Sequence, residues 1–222
     1  MIDTSRAAAY IRSLDSGHGE LCDRIEREAR AAWIPVIRPE TAAFLQTMIT
    51  IRAPMRILEV GTAVGYSAIL MTQVMPQGAH LTTIEVEPER IAAAKENFRL
   101  ADVGDRVRLL EGDASSWLQE LTEPYDLVFM DAAKGQYLHW LVRILELLSP
   151  GGVLISDNVL MDGDILESRF AVERRNRTIH AHMRKYLYTL THTDVLRTSV
   201  IPLGDGVALS VKTDNRRNHE KG

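Results

Sequence analysis

The chain has 222 residues, 45% hydrophobic and 25% charged, enough for one α/β domain with additions and a sizeable core. A formal net charge of −4 excludes whole-protein attraction to nucleic acid or an anionic membrane, though not a local basic patch. The single cysteine, Cys22, excludes an internal disulfide and fits a reducing compartment; with Leu21 and Ile25 beside it, a packed thiol is expected.

The opening MIDTSRAAAYIRSLD lacks the basic start and apolar run of a signal peptide, and no window approaches a membrane span. The expectation is a soluble, cytoplasmic protein. Residues 2–32 carry apolar positions at helical intervals, broken near 16–19 (SGHG), which predicts two helices. Residues 33–39 (WIPVIRP) read as an extended linker, since each proline disfavours helix in the residue before it. Pro39 then opens a helix to about Ile51.

From Arg56 onward, strand and helix alternate. RILEV ends in the turn Gly61–Gly65 (GTAVG), followed by an amphipathic helix from Tyr66 to Val74. This layout would present free backbone N–H groups and a helix N-terminus to a ligand. The G-x-x-x-G spacing is neither the dinucleotide fingerprint nor a phosphate loop. Strands are predicted at His80–Val86, Arg106–Glu111, Tyr125–Asp131 and Gly152–Asp157, the last after a turn at 149–152 (SPGG). Helices are predicted at Pro88–Leu100, Ala114–Leu121 and Tyr137–Leu148, with a long arginine-rich helical region from Asp164 to Leu190. Val195–Ile201 and Val207–Lys212 flank PLGDG as an antiparallel hairpin, and the tail from Thr213 is polar and expected to be disordered. Near-continuous apolar strands alternating with helices imply a mostly parallel sheet with helices on both faces. The whole chain, 1–222, is expected to be one domain: N-terminal helices over 1–52, a core over 56–212, and the tail 213–222.

Five acids fall at or near predicted strand ends: Glu59, Glu85, Asp113, Asp131 and Asp157. In an open parallel sheet that rim is where ligands collect, and five carboxylates there would repel one another unless a ligand or cation intervened. Glu85, ending the second strand, can accept ribose hydroxyls, and Asp113-Ala114 can meet an adenine edge, so the set describes a nucleoside-bearing cofactor. Asp131, Asp157 and Asn158 are oxygen donors suited to a hard cation such as Mg²⁺. Lys134, three residues after Asp131, is a candidate general base, since a nearby cation favours neutral amine.

Together the motifs LEVGTAVGYSA, TTIEVEPER, EGDA, YDLVFMDAAKGQY, GGVLISDNVL and IPLGDGVALS resemble the class I S-adenosylmethionine-dependent methyltransferases. They resemble specifically the cation-dependent O-methyltransferases that include catechol and caffeoyl-CoA methyltransferases, over about Ile34 to Lys212. Within that family, IPVIRPE, DAAKGQY, SDNVL and PLGDG are most similar to bacterial tRNA 5-hydroxyuridine methyltransferases. The resemblance implies a Rossmann-like methyltransferase fold. It implies that Glu59, Gly61, Ser67, Glu85, Asp113 and Ala114 bind S-adenosylmethionine, with Ile37 closing over the methyl-sulfonium end. Asp131, Asp157 and Asn158 would hold Mg²⁺, Asp131 serving the cofactor as well, and Asp131 and Lys134 would be catalytic. It also implies a homodimer, and a product of 5-methoxyuridine in tRNA. Catechol methyltransferases carry an acid near the last hairpin, whereas this chain has Ile201-Pro202-Leu203-Gly204 there and its first acid at Asp205. That departure argues against a small catechol as the natural substrate; the alternative acceptors are a small catechol or phenol, or a caffeoyl-CoA-like molecule. The segment Arg169–Lys185 (with Arg174, Arg175, Arg177 and Arg184) could face tRNA or coenzyme A phosphates, or be a solvated helix face. A non-catalytic nucleotide-binding module is disfavoured by the intact Asp131, Lys134, Asp157 and Asn158. An NAD-dependent dehydrogenase is disfavoured by the glycine spacing.

Overall fold

The computed structural model describes residues 4–14, 17–168 and 170–214. Its elements are α1 (Thr4–Ser13), α2 (Glu20–Ala31), α3 (Pro39–Arg52), β1 (Arg56–Val60), α4 (Tyr66–Val74), β2 (His80–Glu85), α5 (Pro88–Leu100), β3 (Val107–Glu111) and α6 (Ala114–Glu120). β4 (Tyr125–Met130), α7 (Tyr137–Leu147), β5 (Leu148–Ser156), α8 (Arg177–His192), β6 (Leu196–Ile201) and β7 (Val207–Lys212) complete them. The strands form one seven-stranded sheet in the order β3-β2-β1-β4-β5-β7-β6, mostly parallel with an antiparallel C-terminal hairpin. Strand order reverses between β1 and β4, where open α/β sheets bind ligands beyond their carboxyl ends.

Two compact units make up the chain: Met1–Met55 with Gly61–Ala114, and Arg56–Val60 with Ser115–Gly222. In the first, β2 and β3 pair in parallel, so that Glu85 stands level with Glu111. Pro39 occupies the first turn of α3, and Pro88 that of α5, positions where the missing N–H costs nothing. Helix α4 departs from the sequence expectation. Tyr66 to Thr72 are all buried, so it is a core helix and not an amphipathic one. Its C-terminal carbonyls, without a basic residue of their own, are met by Arg106, whose guanidinium donates to Thr72 O, Met75 O and Pro76 O at 3.0–3.1 Å. Cys22 is buried, and burial followed by the Asp23 charge raises its thiol pKa, consistent with a packing role.

In the second unit, β1, β4 and β5 run parallel, with Val60 level with Met130 and Met130 level with Ser156. Leu127, Val128, Phe129 and Met130 are completely buried, which is why this strand reads as an unbroken apolar run. Each such side chain contributes about 1.5–3 kcal/mol of transfer free energy. The expected turn at 149–152 lies inside the strand instead. Tyr125 pairs with Leu148 and Leu127 with Val153, so residues 149–152 form a bulge within β5. The expected helix from Asp164 to Leu190 is also broken. A 3₁₀ turn (Met161–Leu166), a loop and a second 3₁₀ turn (Arg174–Asn176) precede α8. The loop's carbonyls are taken by one face of α8. Arg177 donates to Val172 O (3.2 Å) and Phe170 O (3.1 Å), and Arg184 to Glu167 O (3.4 Å). The tail beyond Asp214 and Arg169 lie outside the described residues.

Candidate functional site

In the first unit the turn after β1 is rigid. Gly61 has φ +106°, Ala63 φ +47° and Gly65 φ +84°, so the backbone is left-handed at three of five positions. A Cβ on Gly65 would meet the Phe98 ring at 2.6 Å, so both conformation and packing require glycine there. The Gly61 and Thr62 N–H groups both donate to Ile84 O (3.1 Å), and Gly65 N–H donates to Thr62 O (2.8 Å). Asn97 Nδ2 holds Val64 O from α5 at 2.8 Å, and the Thr62 and Thr83 hydroxyls share a 2.6 Å hydrogen bond.

Glu85 organises the rest of this set. Its Oε2 accepts from Ala63 N–H (2.8 Å), and its Oε1 from Val86 N–H (2.9 Å) and Glu87 N–H (3.0 Å). A carboxylate offers about four lone-pair directions, so one on Oε2 remains for a ligand hydroxyl. The turn therefore does not present a row of free N–H groups as its spacing suggests, because at least four are spent within the unit. A loop whose donors are consumed by a carboxylate is a poor cradle for a pyrophosphate, but suits a ligand with hydroxyls and no phosphate. One strand along, Gly112 N–H donates to Glu85 O (2.8 Å), and the exposed Asp113 precedes Ala114 at the start of α6. Ser67 lies buried in the first turn of α4, and Ile37 is buried in the extended segment before α3.

In the second unit Asp131 follows β4 and Asp157 follows β5. Asp131 N–H donates to Val60 O (3.0 Å) and Asp157 N–H to Met130 O (2.9 Å), which sets both at the level carboxyl ends of the parallel strands. The Asp157 carboxyl is pushed up to about 7 by burial and then by the Asp131 charge, with Asp205 adding to it; the Asn158 N–H, donating to Asp157 Oδ1 at 2.8 Å, and Lys134 oppose the shift. Burial raises Asp131 as well, against the pull of Lys134. Two carboxyls and an ammonium thus share one neighbourhood. Asn158 has φ +59°, a left-handed conformation that L-residues adopt at a cost, and its Oδ1 is buried with no hydrogen-bond partner among the described residues. Among those residues no group of three His, Cys, Asp or Glu forms a metal cluster, so a cation here would rest on two carboxylates and an amide.

Comparison with known proteins fixes the family. The family model described as O-methyltransferase matches residues 20–213. A catechol O-methyltransferase of Niastella koreensis is 34% identical over 135 residues, 59% of this chain and 61% of that protein, so the match spans under two thirds of its length. Among solved structures, an SAH-bound methyltransferase of Podospora anserina aligns with TM-score 0.84 and 28% identity, covering 95% of each chain. A Staphylococcus aureus protein described as a caffeoyl-CoA O-methyltransferase aligns with TM-score 0.86 and 27% identity, over 93% of this chain and 99% of that one. The chain belongs to the O-methyltransferase family.

In this O-methyltransferase the residues singled out in the sequence divide between the units. Gly61, Ser67, Glu85, Asp113, Ala114 and Ile37 lie in the first. Glu59, Asp131, Lys134, Asp157 and Asn158 lie in the second, where Asp131, Lys134 and Asp157 sense one another's charge. Glu59 is one residue short of the end of β1 and completely buried. Two contributors to the second set carry little signal in the sequence. Asp205 follows the hairpin position where catechol methyltransferases place their acid, yet its charge reaches Asp157. Tyr137 reads in sequence only as the start of a helix, but its hydroxyl bonds the backbone at both Met130 and Asp157.

Proposed function

We propose that this O-methyltransferase moves the methyl group of S-adenosylmethionine to a ring hydroxyl, with a divalent cation such as Mg²⁺ held by Asp131, Asp157 and Asn158. The observation that carries the cation is the buried, unpartnered Asn158 Oδ1, held in a strained backbone next to a carboxyl that its surroundings make hard to charge. Such an arrangement is costly unless a positive ligand satisfies it. When bound, a divalent ion supplies Lewis-acid stabilisation of a developing oxyanion. Lys134 Nζ, as the neutral amine that a bound cation would favour, accepts the hydroxyl proton as the oxygen takes the methyl group from the sulfonium, and Asp131 orients that amine. Glu85 Oε2 takes a ribose hydroxyl, Asp113 and Ala114 the base edge, and Gly61, Ser67, Glu59 and Ile37 the remainder of the cofactor. The protein's share of catalysis is mainly positioning and electrostatics.

For the acceptor we favour 5-hydroxyuridine in tRNA, giving 5-methoxyuridine. Support comes from α8, which has no acidic residue between Arg177 and His192, from the exposed Arg174 and Arg175 just before it, the latter paired with Glu173 at 2.7 Å, and from the exposed Lys185 midway along it. Arg177 and Arg184 are already engaged with loop carbonyls, so the footprint is smaller than the run of arginines suggests. A second reading, a small catechol or a caffeoyl-CoA-like acceptor, is favoured by Asp205, whose charge acts on Asp157 and whose carboxylate could hold a second ring hydroxyl. Action in the cytoplasm as a homodimer belongs to the same proposal. It is supported by the exposed Tyr10, Ile11 and Leu14 of the N-terminal region and by the lack, among the described residues, of a helix able to cross a membrane.

Calorimetry with S-adenosylmethionine, with and without Mg²⁺, followed by methyl transfer to tRNA and to a catechol, tests each part. Full activity in excess EDTA would remove the cation. Mass spectrometry of tRNA nucleosides from a deletion strain tests the acceptor: unchanged 5-methoxyuridine would remove tRNA and leave methyl transfer standing.

A further inference from the structure

Tyr137 is completely buried at the start of α7, and its hydroxyl lies at a junction of three main-chain groups. The oxygen is 3.0 Å from Met130 O and 3.3 Å from Asp157 O, and it receives the Ala132 N–H at 3.3 Å. Its single proton is shared between the two carbonyls, and its lone pair takes the amide. Met130 and Ala132 flank Asp131, and Asp157 is the other carboxylate. One side-chain oxygen therefore ties the backbone on both sides of Asp131 to the backbone of Asp157.

The tie is rigid. The Tyr137 ring packs edge-on against Tyr186, with centroids 5.5 Å apart and planes at 72°. The Tyr186 hydroxyl in turn bonds Ser156 Oγ at 2.6 Å, one residue before Asp157. The separation of two carboxylates determines whether both can reach one cation, and a residue that fixes their backbones fixes that separation.

The geometry points to Tyr137 as a positioning residue that sets the spacing of Asp131 and Asp157 and through it the divalent-cation affinity of the site. This inference rests on the proposed cation site; Tyr137 itself touches no substrate.

The test is Tyr137→Phe, which keeps the ring and its contact with Tyr186 and removes one oxygen. Mn²⁺ binding to the metal-free protein is read by electron paramagnetic resonance, and S-adenosylhomocysteine binding by calorimetry without metal. Loss of a partner one step behind a metal ligand typically costs about 10–100-fold in affinity, so Mn²⁺ binding should weaken by about tenfold or more. S-adenosylhomocysteine affinity should not change, and kcat should recover at saturating Mg²⁺ while the apparent KM for the metal rises. Tyr186→Phe, which removes the hydroxyl on Ser156 and leaves the flanks of Asp131 alone, should melt lower yet bind Mn²⁺ like wild type. Wild-type Mn²⁺ affinity in Tyr137→Phe would overturn the positioning role, as would an equal loss in Tyr186→Phe or a Tyr137→Phe protein that does not fold. A wild-type protein that binds no Mn²⁺ would overturn the cation site and this inference together.

Discussion

Replacing Glu85 by glutamine tests the cofactor set most directly, because that carboxylate is asked to do two jobs. Its three backbone acceptor bonds, from Ala63, Val86 and Glu87, lock the turn after β1 and the start of the segment leading to α5. The glutamine amide must place its NH₂ on one side. On the Oε1 side it would face two N–H donors, so it should turn toward Ala63 and lose that one bond while opposing donor to donor. A part-buried N–H left without its acceptor costs about 1–3 kcal/mol, which for a chain of this size lowers Tm by roughly 2–12 °C. The same NH₂ replaces the oxygen left for a ribose hydroxyl, and hydrogen bonds to charged groups are worth about 1.5–3 kcal/mol. S-adenosylhomocysteine affinity should therefore fall about tenfold to a hundredfold. Scanning calorimetry and titration calorimetry on the same preparation separate the two effects. A lower Tm with unchanged affinity would refute the ribose role. Weaker binding with an unchanged Tm would refute the claim that this carboxylate holds the turn, and both unchanged would refute the whole account of Glu85.

Three further outcomes are expected. The Asp157 carboxyl titrates near 7 when folded against 3.8 ordinarily, so the stability it contributes is complete below about pH 4 and is lost as pH rises toward 7; the metal-free protein should lose stability over that range more steeply than Asp157→Asn, as read by urea denaturation, and parallel slopes would contradict this. Gly65→Ala should destabilise by about 1–3 kcal/mol, from the left-handed backbone and the Cβ driven into Phe98; shortening the ring with Phe98→Leu should recover part of that loss, and a neutral Gly65→Ala would show the turn to be pliable. Arg174→Glu with Arg175→Glu should raise the KM for tRNA and cut the log–log salt slope by about one unit for each phosphate no longer neutralised, while sparing a catechol surrogate. Arg177→Glu should impair both substrates, because that side chain holds the Phe170 and Val172 carbonyls; equal effects from all three would mean a loosened loop and no footprint.

Much of the candidate site is legible in the amino-acid sequence. Asp131 and Asp157 follow apolar strands, at the rim where open parallel sheets collect ligands. What they do to one another is not legible there, because a carboxyl near 7 arises from burial and from neighbours far apart in sequence, including Asp205 from the last hairpin. The glycine turn shows the opposite case. Its spacing is plain and its meaning is not, since a run of N–H groups looks free until the acceptors at Ile84 and Glu85 come into place.

The sequence by itself determined the alternation of strands and helices, because hydrophobic periodicity and the prolines at Pro39 and Pro88 act within a few residues of themselves. It also determined the membership that the motifs carry, and the oxygen-donor character of Asp131, Asp157 and Asn158. Only the tertiary structure decided how the helices without a basic last turn are closed. Arg106 meets the end of α4, Arg143 donates to Leu118 O and Leu121 O at the end of α6, and Lys212 donates to Leu145 O and Leu148 O at the end of α7. It likewise turned the apparent phosphate-binding arginines Arg177 and Arg184 into loop anchors. The reason is common to both. A cationic side chain reads the same in sequence whether it faces solvent, a ligand or an orphan carbonyl, and only the fold brings the acceptor within about 3 Å.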